Sequence, residues 1–165
     1  YARYRDTSAD GVTLLVLVGD LDGGAYLSSA RSVRERIAQH GLGDVVRLPG
    51  YVADETLACL YSGATAFVMP SLAEGFGLTA VEAAACGAAL ALSDLPSHRE
   101  TLGDAALFFA PADVDALAGI LGRIVADVAL QSDLRELASA AVAHRSWDAA
   151  AAELRSLISD TARIA

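Results

Sequence analysis

The stretch from Thr65 to Leu92 limits the possible folds most. Thr65-Ala66-Phe67-Val68-Met69 is apolar and partly β-branched and reads as a buried strand, and Ala88 to Leu92 reads as another. Between them runs Pro70-Ser71-Leu72-Ala73-Glu74-Gly75-Phe76-Gly77-Leu78-Thr79-Ala80-Val81-Glu82-Ala83-Ala84-Ala85-Cys86-Gly87, a glycine-bearing loop followed by a helical run. Strand, loop, helix, strand is a βαβ unit.

The same alternation extends through the chain. Apolar runs at 13–18, 45–48, 65–69, 88–92 and 105–109 are each followed by a helical pattern, which predicts an α/β fold. The expected architecture is a doubly wound parallel sheet of about five strands, with helices on both faces and extra C-terminal helices. Leu27, Ala30, Val33 and Ile37 mark one face of a helix over 25–40 that Gly41 stops. Asp54 is expected to cap a helix carrying Leu57, Leu60 and Tyr61 inward. Leu117, Ile120, Leu121, Ile124 and Val128 keep helical spacing on a helix that starts at Asp113. Two more helices are expected over 132–145 and 146–164, the second capped by Ser146 and placing Trp147, Leu154, Leu157 and Ile158 inward, with Trp147 as a core anchor. Residues 1–12 show no sustained period and begin without Met, so they read as an irregular segment at the edge of a longer protein. The whole of 1–165 reads as one domain.

Charge and composition exclude several classes of function. A net charge of −9 argues against nonspecific binding to nucleic acid or to a membrane surface, both of which need a basic face. No apolar run reaches the roughly 18 residues of a transmembrane segment, and no secretory leader opens the chain, so the expected location is cytoplasmic. Cys59 and Cys86 are too few for a disulfide framework and read as small core residues. His40, His98 and His144 are scattered without ligand spacing, so no metal site is expected.

The chemistry points to the loop. Gly75 and Gly77 let backbone pass close to a ligand, and the helix start near Phe76 offers free N–H groups that favour anions, phosphate above all. The helix is apolar nearly all round and reads as buried on most faces, apart from Glu82. A buried carboxylate needs a partner, which a hydroxyl-rich ligand, an internal arginine or a solvated gap would supply. Glu74, at the mouth of the loop, gives the same helix start a second flanking carboxylate. All 12 basic residues are arginine and none lies between Glu74 and Glu82, so a phosphate there leans on backbone amides or on arginines from elsewhere. Gly19 ends the first strand at the sheet edge where ligands bind in open α/β folds, and reads equally as a plain βα turn. Arg99 could reach an anion, although an exposed ion pair is the commoner fate of such a residue. Tyr51 alone reads as a packed aromatic.

Glu74 and Glu82, with Pro-Ser-x-x-Glu-Gly-Phe-Gly-Leu leading into Glu-Ala-x-Ala-Cys-Gly, resemble the glutamate-x7-glutamate signature of retaining, nucleotide-sugar-dependent glycosyltransferases of the GT-B fold, the GT4 group. The likeness covers nearly all of the chain from Leu14 to Ile158 and implies the Rossmann-like, carboxyl-terminal, donor-binding domain. It implies that Glu74 faces the donor sugar hydroxyls and Glu82 the ribose hydroxyls. Gly75, Phe76, Gly77, Leu78 and Thr79 would then line the sugar and diphosphate through backbone, with Gly19 nearby. Arg47-Leu48-Pro49-Gly50-Tyr51-Val52 is similar to the segment that meets the base, which gives Tyr51 and Val52 a second reading.

The resemblance further implies retaining hexosyl transfer without a metal or other cofactor, the nucleotide diphosphate sugar being substrate. The partner it implies is an amino-terminal, acceptor-binding domain of the same longer protein. Family members carry, before the strand matching Thr13 to Val18, a strand with a Gly-Arg turn and a helical Lys that neutralise the diphosphate. Nothing in residues 1–165 matches these, so the isolated chain is expected to be inactive. A noncatalytic Rossmann-like binding module and a sugar-nucleotide epimerase-like domain are the alternatives.

Overall fold

The computed structural model describes residues 1–8, 13–19 and 28–162. In chain order these form α1 (Ala2–Thr7), β1 (Leu15–Val18), α2 (Ser28–Gln39), β2 (Val46–Gly50), α3 (Asp54–Gly63), β3 (Phe67–Met69), α4 (Leu78–Ala85), β4 (Leu90–Ser93), α5 (Pro96–Leu102), β5 (Ala106–Phe109), α6 (Val114–Ala126), α7 (Val128–Val142) and α8 (Trp147–Ala162). All five strands fall where the apolar runs place them. The chain beyond Gly19 that would complete a βα turn, and the expected inward Leu27, lie outside the described residues.

The strands are parallel, as the βαβ reading requires, but their ladders form two groups. β1 pairs with β2 through Leu15–Val46, Val16–Arg47 and Val18–Gly50. β4 lies between β3 and β5, with Phe67–Leu90 and Leu90–Ala106 in register. β4 is the centre of the core, and its alternating side chains divide between two apolar clusters. Leu90 and Leu92 pack with Ala80, Ala83 and Ala84 of α4 and Ala138 of α7, while Ala91 packs with Ile120 and Ile124 of α6 and Leu134 of α7. Helices therefore cover both faces of this group of strands.

Four expectations about the helices are corrected. Residues 2–7 are not irregular: Tyr4 is buried, α1 packs on α6, and Arg3 pairs with Asp115 at 2.7 Å. So short a helix is stable through such contacts rather than through a periodicity of its own. Val128 does not continue α6, because Asp127 ends it and caps α7 by accepting from the Leu130 N–H at 3.0 Å. Asp54 is not the cap of α3; Ala53 is, and Asp54 with Glu55 places negative charge in the first turn instead. In α8, Ser146 caps as expected through the Ala149 N–H at 3.1 Å, but Trp147 is 84% exposed and Leu154, Leu157 and Ile158 also face outward. Its apolar stripe is more than half exposed, so Trp147 is not a core anchor. Cys59 is exposed and only Cys86 borders the core.

Candidate functional site

The loop after β3 and the start of α4 carry the candidate site. Gly77 caps α4 in the left-handed conformation (φ 79°, ψ 40°), which glycine adopts without a Cβ penalty. Its carbonyl accepts from the Ala80 and Val81 N–H groups at 2.9 and 3.2 Å. Further back, the N–H groups of Phe76, Gly77, Leu78 and Thr79 donate to no acceptor among the described residues. They are the free donors of a helix start, at its positive end.

Around these amides stand the two glutamates. Glu74 is half-buried and its Oε1 accepts from Ser71 Oγ at 2.7 Å, which fixes the carboxylate at the loop mouth. An open groove of about 420 Å³ runs beside it, between Leu72–Gly75 and Leu95–Ser97 with Glu100. Of the readings open to Glu82 the solvated gap is the one observed, and the helix is less buried than expected. Only Ala80, Ala83 and Ala84 of α4 are buried, whereas Leu78, Thr79 and Glu82 share an exposed face. Glu82 is thus a solvated carboxylate, with no hydrogen bond or ion pair among the described residues. It lies one helical turn beyond the free amides, and no buried partner is needed to explain it. Its charge is felt at Tyr61, whose phenol is pushed above the usual tyrosine range first by burial and then by Glu82 and Cys86.

The other expected residues form a second group. Gly19 ends β1 and donates to the Gly50 carbonyl at 3.1 Å, which brings Gly19 beside Gly50-Tyr51-Val52 at the carboxyl ends of β1 and β2. The Tyr51 ring is 80% exposed, so the packed-aromatic reading fails, and Val52 is half-buried. No hydrogen bond joins this group to the α4 turn among the described residues. Arg99 is not available to an anion at the turn. It forks onto Asp94 at 2.7 and 2.9 Å and lies 3.8 Å over the Phe108 ring, and this hydrogen bonding holds the Asp94 carboxyl below its ordinary range.

Two residues that sequence reading passed over stand at the turn. Arg145 lies beside it, its guanidinium 5.6 Å from the Phe76 ring centroid and its Nη2 donating to the Thr101 carbonyl at 3.1 Å. It follows α7 and is distant in sequence, so no local pattern signals it. His98 lies fully buried against Gly77. Its one signal was a histidine within an otherwise polar strand-end loop. No group of three or more metal-ligating side chains occurs among the described residues.

The description "glycosyl transferases group 1" belongs to the family whose model matches residues 5–141. The chain belongs to that family. Among its relatives, the D-inositol 3-phosphate glycosyltransferase of Streptomyces griseus is 32% identical over 151 residues, 89% of this chain and 31% of that protein. The O-antigen chain mannosyltransferase B of Escherichia coli is 42% identical over 95 residues, 58% of this chain and 24% of that protein. Sucrose-phosphate synthase from Thermosynechococcus elongatus superposes with a TM-score of 0.83 at 32% identity, covering 92% of this chain and 39% of that one. The group 1 chain thus spans less than half the length of each of these relatives, and its Rossmann-like fold matches the part of the sucrose-phosphate synthase that it covers. No helix among its described residues is long and apolar enough to cross a membrane.

Proposed function

We propose that this chain is the donor-binding half of a group 1 glycosyltransferase, taking a nucleoside diphosphate sugar for retaining transfer to an acceptor bound by an amino-terminal domain of the same longer protein. The observation that carries this reading is the set of free amides from Phe76 to Thr79 at a glycine-capped helix start, with Glu74 and Glu82 on either side. The amides receive the diphosphate, a role that suits helix N-termini. Glu82, solvated and one turn along, accepts from ribose hydroxyls, and Glu74, held by Ser71, accepts from the sugar hydroxyls. Gly19, Tyr51 and Val52, at the ends of β1 and β2, receive the base.

Chemically, the slow event is departure of the nucleoside diphosphate, and donors fixed beforehand stabilise the charge that develops on it. Glu74 positions the sugar for that event and is assigned no proton transfer. Two carboxylates beside a diphosphate oppose its binding, so further cations complete the site, Arg145 from this chain and others from the longer protein. The donor sugar proposed is mannose, in keeping with the mannosyltransferase relatives. No metal takes part.

Replacing Glu74 or Glu82 by alanine in the longer protein tests the reading. Each variant is expected to lower sugar transfer roughly 100-fold or more, as loss of a fixed polar contact to the transition state does, with an unchanged melting temperature. Wild-type transfer rates in both variants would refute it.

A further inference from the structure

α5 holds the α4 turn at two points. Thr101 Oγ1 donates to the Phe76 carbonyl at 3.2 Å, and His98 lies fully buried against Gly77. His98 Nδ1 stands 2.8 Å from the Ser93 carbonyl oxygen, which can only accept, so Nδ1 carries a proton. Its Nε2 is buried and has no hydrogen-bond partner among the described residues. A Cβ built on Gly77 would stand 2.9 Å from His98 Cδ2 and 3.2 Å from Nε2, so this edge of the ring is aimed at the residue that caps α4. In the neutral ring Nε2 bears a lone pair, and a partial negative charge there is favoured beside the positive end of the α4 dipole. The opposite tautomer would place an N–H at the positive end of the helix and leave the Ser93 carbonyl without this bond.

We propose that His98 is a positioning residue for the diphosphate. Its Nδ1-protonated ring occupies the space against Gly77 and faces an acceptor toward the turn, which keeps the Leu78 and Thr79 amides aimed at a nucleoside diphosphate. The inference rests on the donor-binding reading above and adds a residue that acts through Gly77 rather than by touching the ligand. It also explains the side chain permitted at 77, since any Cβ there meets the ring.

Two substitutions separate this role from simple packing. His98→Asn keeps a donor near Nδ1 for the Ser93 carbonyl and removes the atoms facing Gly77. His98→Gln reaches toward the Nε2 position and gives up the Ser93 bond. Calorimetric titration with guanosine and uridine diphosphates, alongside thermal melts, is expected to show His98→Asn binding about tenfold more weakly and His98→Gln within about threefold of wild type, a gap of at least about threefold in affinity. A ring that serves only to tie β4 to α5 gives the reverse order. Equal binding by wild type and His98→Asn, or an equal loss in both variants, overturns the proposal. If wild type binds neither nucleotide at millimolar concentration, the donor reading fails, and His98 is judged on the free chain. There His98→Asn is expected to move the Leu78 and Thr79 amide signals in a ¹H–¹⁵N spectrum while His98→Gln leaves them near their wild-type positions; unmoved signals in His98→Asn overturn the positioning role.

Discussion

β1 and β4 have similar sequences, Leu-Val-Leu-Val and Leu-Ala-Leu-Ser, yet opposite surroundings. Every residue of β4 is buried, with α4, α6 and α7 across its two faces, whereas Val16 and Val18 of β1 are 39% and 40% exposed. An apolar run thus states that a segment will be a strand, and the covering helices decide how much it contributes. The difference also bears on the proposed site. The α4 turn grows from the strand group that is packed on both faces and can hold amides in fixed directions, while Gly19, Tyr51 and Val52 sit at the ends of the barer pair, with the Tyr51 ring in solvent.

The largest test of this contrast is a pair of truncations. Leu92→Ala empties a close-packed centre and is expected to cost about 2–5 kcal/mol of stability, while Val16→Ala costs about 1 kcal/mol or less, both read from urea denaturation. Equal losses would mean that the two groups of strands share one core. A smaller effect separates the two glycines of the turn. Gly77→Ala adds a Cβ at φ 79° and pushes it onto His98, so a loss of roughly 1–2 kcal/mol from backbone conformation alone is expected, with the steric contact adding to it. Gly75→Ala meets nothing within 4 Å at ordinary φ and is expected to change stability by about 0.5 kcal/mol or less. A neutral Gly77→Ala would show that the turn is not held against α5.

Much of this arrangement is legible in the residues. The five strands, the parallel α/β class, a helix start inside the glycine-bearing loop, two residues later than expected, and the Ser146 cap follow from local period and capping chemistry. What escaped depends on tertiary context. α1 exists because Tyr4 finds α6, and Glu82 is solvated because one face of α4 stays open, a fact that its alanine-rich composition hides. The α8 stripe has good helical spacing and still lies exposed, since spacing cannot say whether a neighbour is present. The α6–α7 break was readable in principle: Asp127 is a cap, and Val128, in phase with the preceding helix, masked it. His98 is the deepest omission. Its meaning comes from a contact with Gly77 that no sequence pattern encodes.

We propose that the free amides of the α4 turn receive a nucleoside diphosphate sugar. Titrating the isotopically labelled chain with guanosine diphosphate mannose, and with uridine diphosphate glucose in parallel, while following backbone amide signals tests it most directly. The predicted result is saturable movement of the Gly77, Leu78 and Thr79 signals with at least one donor, accompanied by Glu82 and by Tyr51 and Val52, while α6 to α8 stay unmoved. No movement at millimolar concentration of either donor, or movement confined to α6–α8, would contradict it.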